Sequence, residues 1–347
     1  MKGRIVVLGT WHGREAAALV VDGQLHDLLV DPGEAAGFAP GAILRGVLDR
    51  PMKGQGGAFV KLPGGETGFL RETKGLAPGR PVIVEVAGFA EPGKAVPLTV
   101  RVLFKSRLCI VTPAAPGLNL SRRIQDEDAR ARLTALAGAG MAGSEFGLIL
   151  RSLAGDDAIA ADIAATRALA EAVMADDSGG PELLVAAPTP HEAAWRDWAE
   201  PAPDEVAEGE GAFARHGVDD MAEAVLSTLR PLPGGGSMAI EPTRALIAVD
   251  VNTGTDTSPA ASLKANIAAA RELPRQLRLR GLGGQVTVDF APMPKRDRAT
   301  LDQQLRQAFR GEAAETSLAG WTPLGNFELQ RKRDRLPLAL ILRGAAR

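Results

Sequence analysis

The sequence predicts an α+β protein built from several subdomains, and three observations lead there. Five short apolar runs punctuated by Gly and Pro crowd into residues 37–104, as in a small β-barrel. Residues 243–293 run from an apolar stretch through a helix-like segment to a second apolar stretch, the pattern of a βαβ unit. Residues 1–31 read as short strands with too few residues for a core of their own, so they pair with a later segment. A length of 347 residues leaves room for two or three domains, and 45% hydrophobic with 24% charged residues is a globular balance.

Taken in order, RIVVLGT, AAALVV and LHDLLV are the first strands, with Asp22-Gly23 as a hairpin signal between the last two. His12 and His26 stand isolated, and solvent-facing or structural roles account for both. The apolar stretch in MKGRIVVLGTWHGRE is too short for a signal peptide, and no run approaches the roughly 18 apolar residues of a membrane helix. A cytoplasmic location without a membrane partner is the expectation. The formal net charge of −2 announces no nucleic-acid partner, so any basic surface must be local. The single cysteine, Cys109, excludes an intrachain disulfide and a multi-cysteine zinc site, and RLCIVTP places it in a core.

In residues 37–104 the strands are AILRGVLD, GGAFVKL, ETGFLRE, RPVIVEVAGF and VPLTVRVLF, which fit a small closed barrel of the OB type. Phe59 and Phe69 lie on consecutive strands, and Lys61 alternates onto the face of Phe59. Two readings fit that pattern: a stacking platform for single-stranded nucleic acid, or a pair of core residues. At this point the segment resembles the RNA-binding OB domain of the ribosomal S-one type, which favours RNA.

Residues 105–175 begin with the strand RLCIVTP and the loop AAPGLNLSRRIQDEDARARL. Ser121 is placed to cap a helix starting near Arg122. That helix ends at Gly138-Ala139-Gly140, the strand FGLILRS carries Arg151 and Ser152 at its far end, and a last helix spans Asp157 to Ala175. Arg122, Arg123 and Arg151 either converge on a phosphate, which guanidinium forks suit, or the first two pair with Asp126, Glu127 and Asp128. Beyond, LLVAAPTP reads as a strand, Trp195 and Trp198 sit on a short helix, and AEPAPDEVAEGEGA is an acidic surface loop. DDMAEAVLSTL is an amphipathic helix, and SMAIEP with ALIAVDVN forms a hairpin.

The second strand of that hairpin opens the βαβ unit. TRALIAVDVN ends on Asp250 and Asn252, and QVTVDFAPM carries Asp289. Parallel strands joined by a crossover bring both carboxylates to one sheet edge, where open α/β sheets place their sites. Two acids and an amide there suit a hard cation such as Mg²⁺; alternatively each Asp only ends a strand. On the crossover helix Arg271, Arg275 and Arg278 share a face that either holds a phosphodiester backbone or is solvated, and Pro274 should kink or split the helix. A helix with Leu301 and Leu305 follows, and GNFELQRKRDRLPLALILR reads as a basic helix followed by an apolar strand.

The whole order resembles the catalytic half of the bacterial ribonuclease E/G family. The resemblance is carried by GQGGAFVKL, ETGFLRE, NLSRRIQDEDAR, FGLILRS, LPGGGSMAIEPTRALIAVDVNTG, ANIAAARELPRQLRLRGLGGQVTVDFAPM and GNFELQRKRDR, in collinear order over most of the chain. It implies an OB-fold barrel (37–104) inserted in a reduced RNase H-like subdomain (1–36 with 176–225), then a 5′-sensor region (105–175) and a DNase I-like α/β subdomain (226–347). It further implies one Mg²⁺ per active site held by Asp250 and Asp289 with support from Asn252, giving 5′-phosphate and 3′-hydroxyl products. By the same resemblance Phe59, Phe69 and Lys94 clamp single-stranded RNA, Arg122 and Arg123 join the RNA-binding set, and Arg151 with Ser152 reads a 5′-monophosphate.

Departures accompany it. The family's paired-cysteine zinc link is missing up to Arg347, so no structural zinc is expected and a homodimer would form without that link. Residues 179–233 are shorter than in the family, Ser106 replaces a small glycine of the sensor, Pro292 stands where another acid is usual, and the acids of TGTDTSPAASLKAN are thinned. Three functions compete. The first is a Mg²⁺-dependent endoribonuclease in RNA processing or decay. The second is a non-catalytic RNA-binding protein that keeps the fold. The third is a metal phosphoesterase for small substrates, against which the barrel argues.

Overall fold

The structure, a computed structural model, describes residues 3–52, 56–91, 93–154 and 158–345. The chain divides into two compact units, one joining residues 1–35 to 206–347 and the other holding 36–205. Strands β1 (Arg4–Trp11), β2 (Arg14–Val21) and β3 (Gln24–Val30) form an antiparallel meander. Both connections are two-residue turns with consecutive positive φ: His12 (49°) and Gly13 (72°), then Asp22 (48°) and Gly23 (75°). That pairing is the type I′ turn, whose twist matches the strands it joins. The Asp-Gly turn is legible in the sequence; the His-Gly turn is not, because His is an uncommon first residue there.

In the second unit β4 (Ile43–Pro51), β5 (Ala58–Lys61), β6 (Thr67–Leu70), β7 (Pro81–Val86) and β8 (Val96–Thr99) close a five-stranded barrel in the order β4-β5-β6-β8-β7 and back to β4. Only the β6–β8 pair is parallel. Alternate residues, among them Leu44, Val60, Leu70, Val84 and Leu98, fill the inside. The run VPLTVRVLF divides: its first half stays in the barrel, and β9 (Phe104–Lys105) starts another sheet with β10 (Cys109–Thr112), β11 (Leu118–Leu120) and β12 (Gly147–Leu150) in the order β11-β12-β10-β9. Helices α1 (Glu127–Gly140) and α2 (Ile159–Ala175) share its core, in which Cys109 is fully buried. Burial pushes the Cys109 thiol pKa up, as suits a packing residue. Helix α1 starts five residues later than expected, because Asp126 and not Ser121 caps it: Asp126 Oδ1 accepts from Ala129 N at 2.6 Å. The expected first residue of α2, Asp157, lies outside the described residues.

Strand β13 (Glu182–Val185) then returns to pair with β4, and helix α3 (Pro190–Asp197) follows behind a capping box of Thr189 and Glu192. The buried Arg45 of β4 donates to Asp176 Oδ1 at 2.5 Å, to the Gly180 carbonyl at 2.8 Å and to Glu182. A buried guanidinium needs such partners, and these draw the segment after α2 onto the barrel. Residues 176–205 therefore fall with the barrel unit; only 206–225, of the 176–225 expected to join the N-terminal strands, do so.

The first unit resumes with β14 (Glu205–Ala207), which lies within the segment read as an acidic loop and forms the edge of the sheet β14-β1-β2-β3. Helices α4 (Ala212–Arg215) and α5 (Val218–Leu226) lead to β15 (Leu229–Pro231), β16 (Ser237–Pro242) and β17 (Ile247–Asn252). Helix α6 (Pro259–Leu279) crosses over to β18 (Gly284–Asp289), and α7 (Arg298–Ala308), β19 (Thr316–Trp321), β20 (Phe327–Arg331) and α8 (Leu338–Ala345) complete the chain. The sheet order is β15-β16-β17-β18-β20-β19, with β17 and β18 parallel as the βαβ pattern requires.

Three expectations change here. Helix α6 stays continuous through Pro274: the lost backbone bond and ring crowding cost about 3 kcal/mol, offset by burial of Ala269, Ala270, Leu273 and Leu277 on its core face. The arginines of α6 do not offer a basic face, because they bond within the unit. Arg271 donates to Gln304 at 2.9 Å, Arg275 to the Leu25 carbonyl at 2.8 Å, and Arg278 to Glu312 and to the His26 carbonyl at 2.9 Å. The C-terminal segment is a strand followed by a helix, the reverse of the reading. Phe327, Leu329 and Arg331 alternate inward, a period of two that the neighbouring basic residues disguised. Among the described residues no helix is long and apolar enough to cross a membrane.

A buried charge network ties β3 to the C-terminal part of this unit. Asp27 accepts from Arg335 at 2.5 and 3.1 Å and lies 3.8 Å from Arg278 Nε, while Glu312 binds Arg278 and, at 3.1 Å, the buried Arg331. Burial alone would raise the Asp27 pKa, but the Arg335 and Arg278 charges outweigh it and the net shift is downward. A depressed folded pKa contributes stability above the unfolded value near 4 and loses it as pH falls through the folded value. Asp27→Asn should therefore destabilise by about 3–5 kcal/mol at pH 7, and the deficit should shrink below about pH 4, measured by urea unfolding across pH. A deficit constant down to pH 2 would contradict this account.

Candidate functional site

The parallel register sets Asp250 directly beside Asp289. Adjacent strands run about 4.8 Å apart, and side chains at paired positions leave the sheet on the same face. On β17, Ile247, Val249 and Val251 face the core, which leaves Asp250 and Asn252 exposed; on β18, Val286 and Val288 face the core and Asp289 is exposed. Asn252 Nδ2 donates to Asp250 Oδ2 at 2.5 Å, holding that carboxylate from the same strand. The loop beyond Asp289 is held from below. Asn266 of α6 is completely buried, donates to the Ala291 carbonyl and accepts from the Ala291 amide, both at 2.9 Å. Sequence reasoning missed Asn266; its one signal is an amide on the apolar stripe of a helix. Among the described residues no group of three or more His, Cys, Asp or Glu side chains is gathered for a metal. The donors present are two carboxylates and an amide, which fit Mg²⁺, an ion that keeps several waters and uses one or two carboxylates.

On the barrel, Phe59 and Phe69 are register partners on β5 and β6, with ring centroids 6.0 Å apart at 63°. Ala58, Val60 and Leu70 take the inward positions, so both rings lie outward and half-buried beside the exposed Lys61. These rings are therefore not part of the barrel core. Arg50 lies over the Phe59 ring at 5.8 Å. Gly57 is the floor under Phe69: a Cβ there would fall 2.6 Å from the ring, and its φ of +84° already favours glycine. Lys94 lies in the loop between β7 and β8, is exposed, and pairs with Glu91 at 3.0 Å.

The third group lines a cavity of about 120 Å³ formed by Arg123, Arg151, Ser152, Leu153, Arg196, Asp197 and Glu200. Arg151 donates to the Ser106 carbonyl at 3.1 Å and to Asp197 Oδ1 at 3.2 Å. Arg196 grips the same carboxylate with a two-point fork, at 3.0 and 2.8 Å. Arg123 pairs with Glu200 at 3.6 Å, not with the acids of α1. Arg122 is exposed and is not among the lining residues. Ser106 donates its hydroxyl to Asp162, while its carbonyl accepts from Arg151. Sequence reading did not find Arg196, Asp197 or Glu200, which arrive from α3 and the turn after it.

A closed five-stranded barrel, an arginine-lined cavity and an open sheet with paired carboxylates define an α+β protein of several subdomains. The chain belongs to the ribonuclease E/G family, whose model matches residues 104–209 and 201–334. Its relatives include ribonuclease E of Nostoc sp. (strain PCC 7120), 30% identical over 382 residues that cover 92% of this chain and 54% of that one. Ribonuclease G of Escherichia coli (strain K12) is 26% identical over 394 residues, 94% of this chain and 80% of that one. The chain thus spans about half the length of ribonuclease E relatives. A multidomain protein with nucleic acid binding domains from Streptococcus pneumoniae aligns over 33% of this chain and 37% of its own at 22% identity, with a TM-score of 0.17.

Replacing Asn266 by Ala would strip a buried peptide of both partners. A loss of about 2–4 kcal/mol is expected, read by urea unfolding, together with faster hydrogen exchange at the Ala291 amide. Unchanged exchange there would show that Asn266 does not hold the loop.

Proposed function

We propose that this chain is a Mg²⁺-dependent endoribonuclease that cleaves single-stranded RNA to 5′-phosphate and 3′-hydroxyl products, acting in RNA processing or decay. The observation that carries the proposal is the pairing of Asp250 with Asp289 on adjacent parallel strands, with Asn252 bonded to the first. Asp250 and Asp289 would hold the ion, and Asn252 would keep the Asp250 carboxylate turned towards it. When bound, Mg²⁺ supplies charge stabilisation on the phosphoryl oxygens and a more acidic attacking water. Attack on phosphorus then breaks the bond to the 3′ oxygen, which leaves with a proton. Asn266 fixes the backbone next to Asp289 and so contributes positioning.

The barrel would supply the RNA contact. In OB barrels the face of the second and third strands and the loop between the fourth and fifth contact oligonucleotides. Phe59 and Phe69 are on those strands here, and Lys94 is in that loop. Stacking on exposed rings is sequence-tolerant and contributes about 1–3 kcal/mol per base. Arg122 and Arg123 extend the basic contact, and Arg151 with Ser152 reads the 5′ phosphate. A second reading, an RNA-binding protein without catalysis, draws on the absence of a third acid beside the carboxylate pair among the described residues.

Cleavage of a fluorescent single-stranded RNA separates the two. The wild type should cut with Mg²⁺, Asp250→Asn and Asp289→Asn should lose at least about 100-fold, and chelation should abolish turnover. Tight binding with no metal-dependent cutting would establish the second reading. Phe59→Ala and Phe69→Ala should each weaken RNA binding by about 1–3 kcal/mol in an anisotropy titration, and Gly57→Ala should weaken it too by displacing the Phe69 ring. Full affinity in all three variants would remove the barrel face from the RNA site.

A further inference from the structure

Two of the three arginines that line the cavity, Arg151 and Arg196, already hold a carboxylate. Asp197 accepts three hydrogen bonds from two guanidinium groups, at 2.8, 3.0 and 3.2 Å, which is the arrangement an anionic phosphate would seek there. Helix stability does not explain an acid at this position. Asp197 is the last residue of α3, where the helix dipole disfavours negative charge. Burial would raise its pKa, yet the hydrogen bonds and charges of Arg196 and Arg151 hold it low, so it is ionised at neutral pH. Glu200, also lining the cavity, makes a looser ion pair with Arg123 at 3.6 Å. The side chain of Asp197 is also 45% exposed, so it can swing out without breaking a core.

We propose that Asp197 is an internal plug of the phosphate cavity, a specificity-determining residue that an RNA 5′-monophosphate must displace from Arg151 and Arg196. The proposal rests on reading this cavity as the 5′-phosphate site. It gives this chain weak discrimination between 5′ ends even though the sensing arginine is present. A site that is plugged about nine-tenths of the time binds about tenfold more weakly than the open one. A phosphate monoester carries more charge than Asp197 and three acceptor oxygens, so it competes but spends part of its binding energy on displacement.

The test is binding without Mg²⁺, by anisotropy, of 3′-labelled RNA decamers that carry either a 5′-monophosphate or a 5′-hydroxyl. The wild type should separate the two by less than about threefold, and Asp197→Asn should bind the 5′-monophosphate decamer about tenfold tighter while leaving the 5′-hydroxyl decamer unchanged. Asp197→Ser provides a second release variant, Asp197→Asn combined with Arg151→Ala should lose the gain, and Glu200→Gln, which removes a charge without opening the fork, should gain less. Equal gains on both 5′ ends, equal gains from Glu200→Gln, or no gain in either Asp197 variant would overturn the proposal. Calorimetry with adenosine 5′-monophosphate against adenosine repeats the comparison without RNA. If the protein binds no RNA at all, the ribonuclease reading fails, while a tenfold gain for the monophosphate in Asp197→Asn still supports the plug and its absence still refutes it.

Discussion

The parallel register of β17 and β18 is the constraint on which the candidate site depends. It comes from one crossover helix whose apolar stripe packs under both strands, so that Val249 and Val288 point into the same core and Asp250 and Asp289 leave on the same outer face. A slip of one residue would turn one carboxylate into the core and leave its charge without solvent or partner. Asn266 adds a second lock from the same helix by pairing both hydrogen-bonding groups of Ala291. Helix α6 thus sets the strands, the carboxylates and the loop beyond them.

Charge is used in two different ways. Arg45, Arg275, Arg278, Arg331 and Arg335 are internal ties, each partnered by carboxylates or carbonyls within its own unit. Each is at least partly buried and held by such partners, so they answer to folding. Arg123, Arg151 and Arg196 are gathered around a solvent-accessible cavity that Asp197 and Glu200 also line. The difference lies in exposure and in what surrounds the guanidinium group, since the residue type is the same.

Much of the fold was legible. Period-two runs and turn signals located the barrel strands and the βαβ unit, because a strand that buries one face must alternate and a crossover must be long enough for a helix. The carboxylate pair followed from equivalent strand ends. The order of the C-terminal strand and helix was misread because Arg331 is buried by an ion pair with Glu312, a contact separated by 19 residues, and a buried arginine looks polar in a one-dimensional pattern. The start of α1 was misplaced because Ser121 and Asp126 are both good caps, and only backbone geometry chooses between them.

The sequence by itself determined the class of fold, the barrel, the placement of Phe59 and Phe69 on consecutive strands, and the presence of Asp250, Asn252 and Asp289 on strands that run the same way. These follow from local periodicity and from the handedness of crossovers, which need no knowledge of distant partners. Tertiary structure alone decided that residues 176–205 join the barrel, that Arg275 and Arg278 of α6 bond to the carbonyls of β3, that Asn266 holds Ala291, and that Asp197 meets Arg151. Each of these is a contact between residues far apart in sequence, chosen by what a buried or convergent charge needs around it, and no local pattern records that choice.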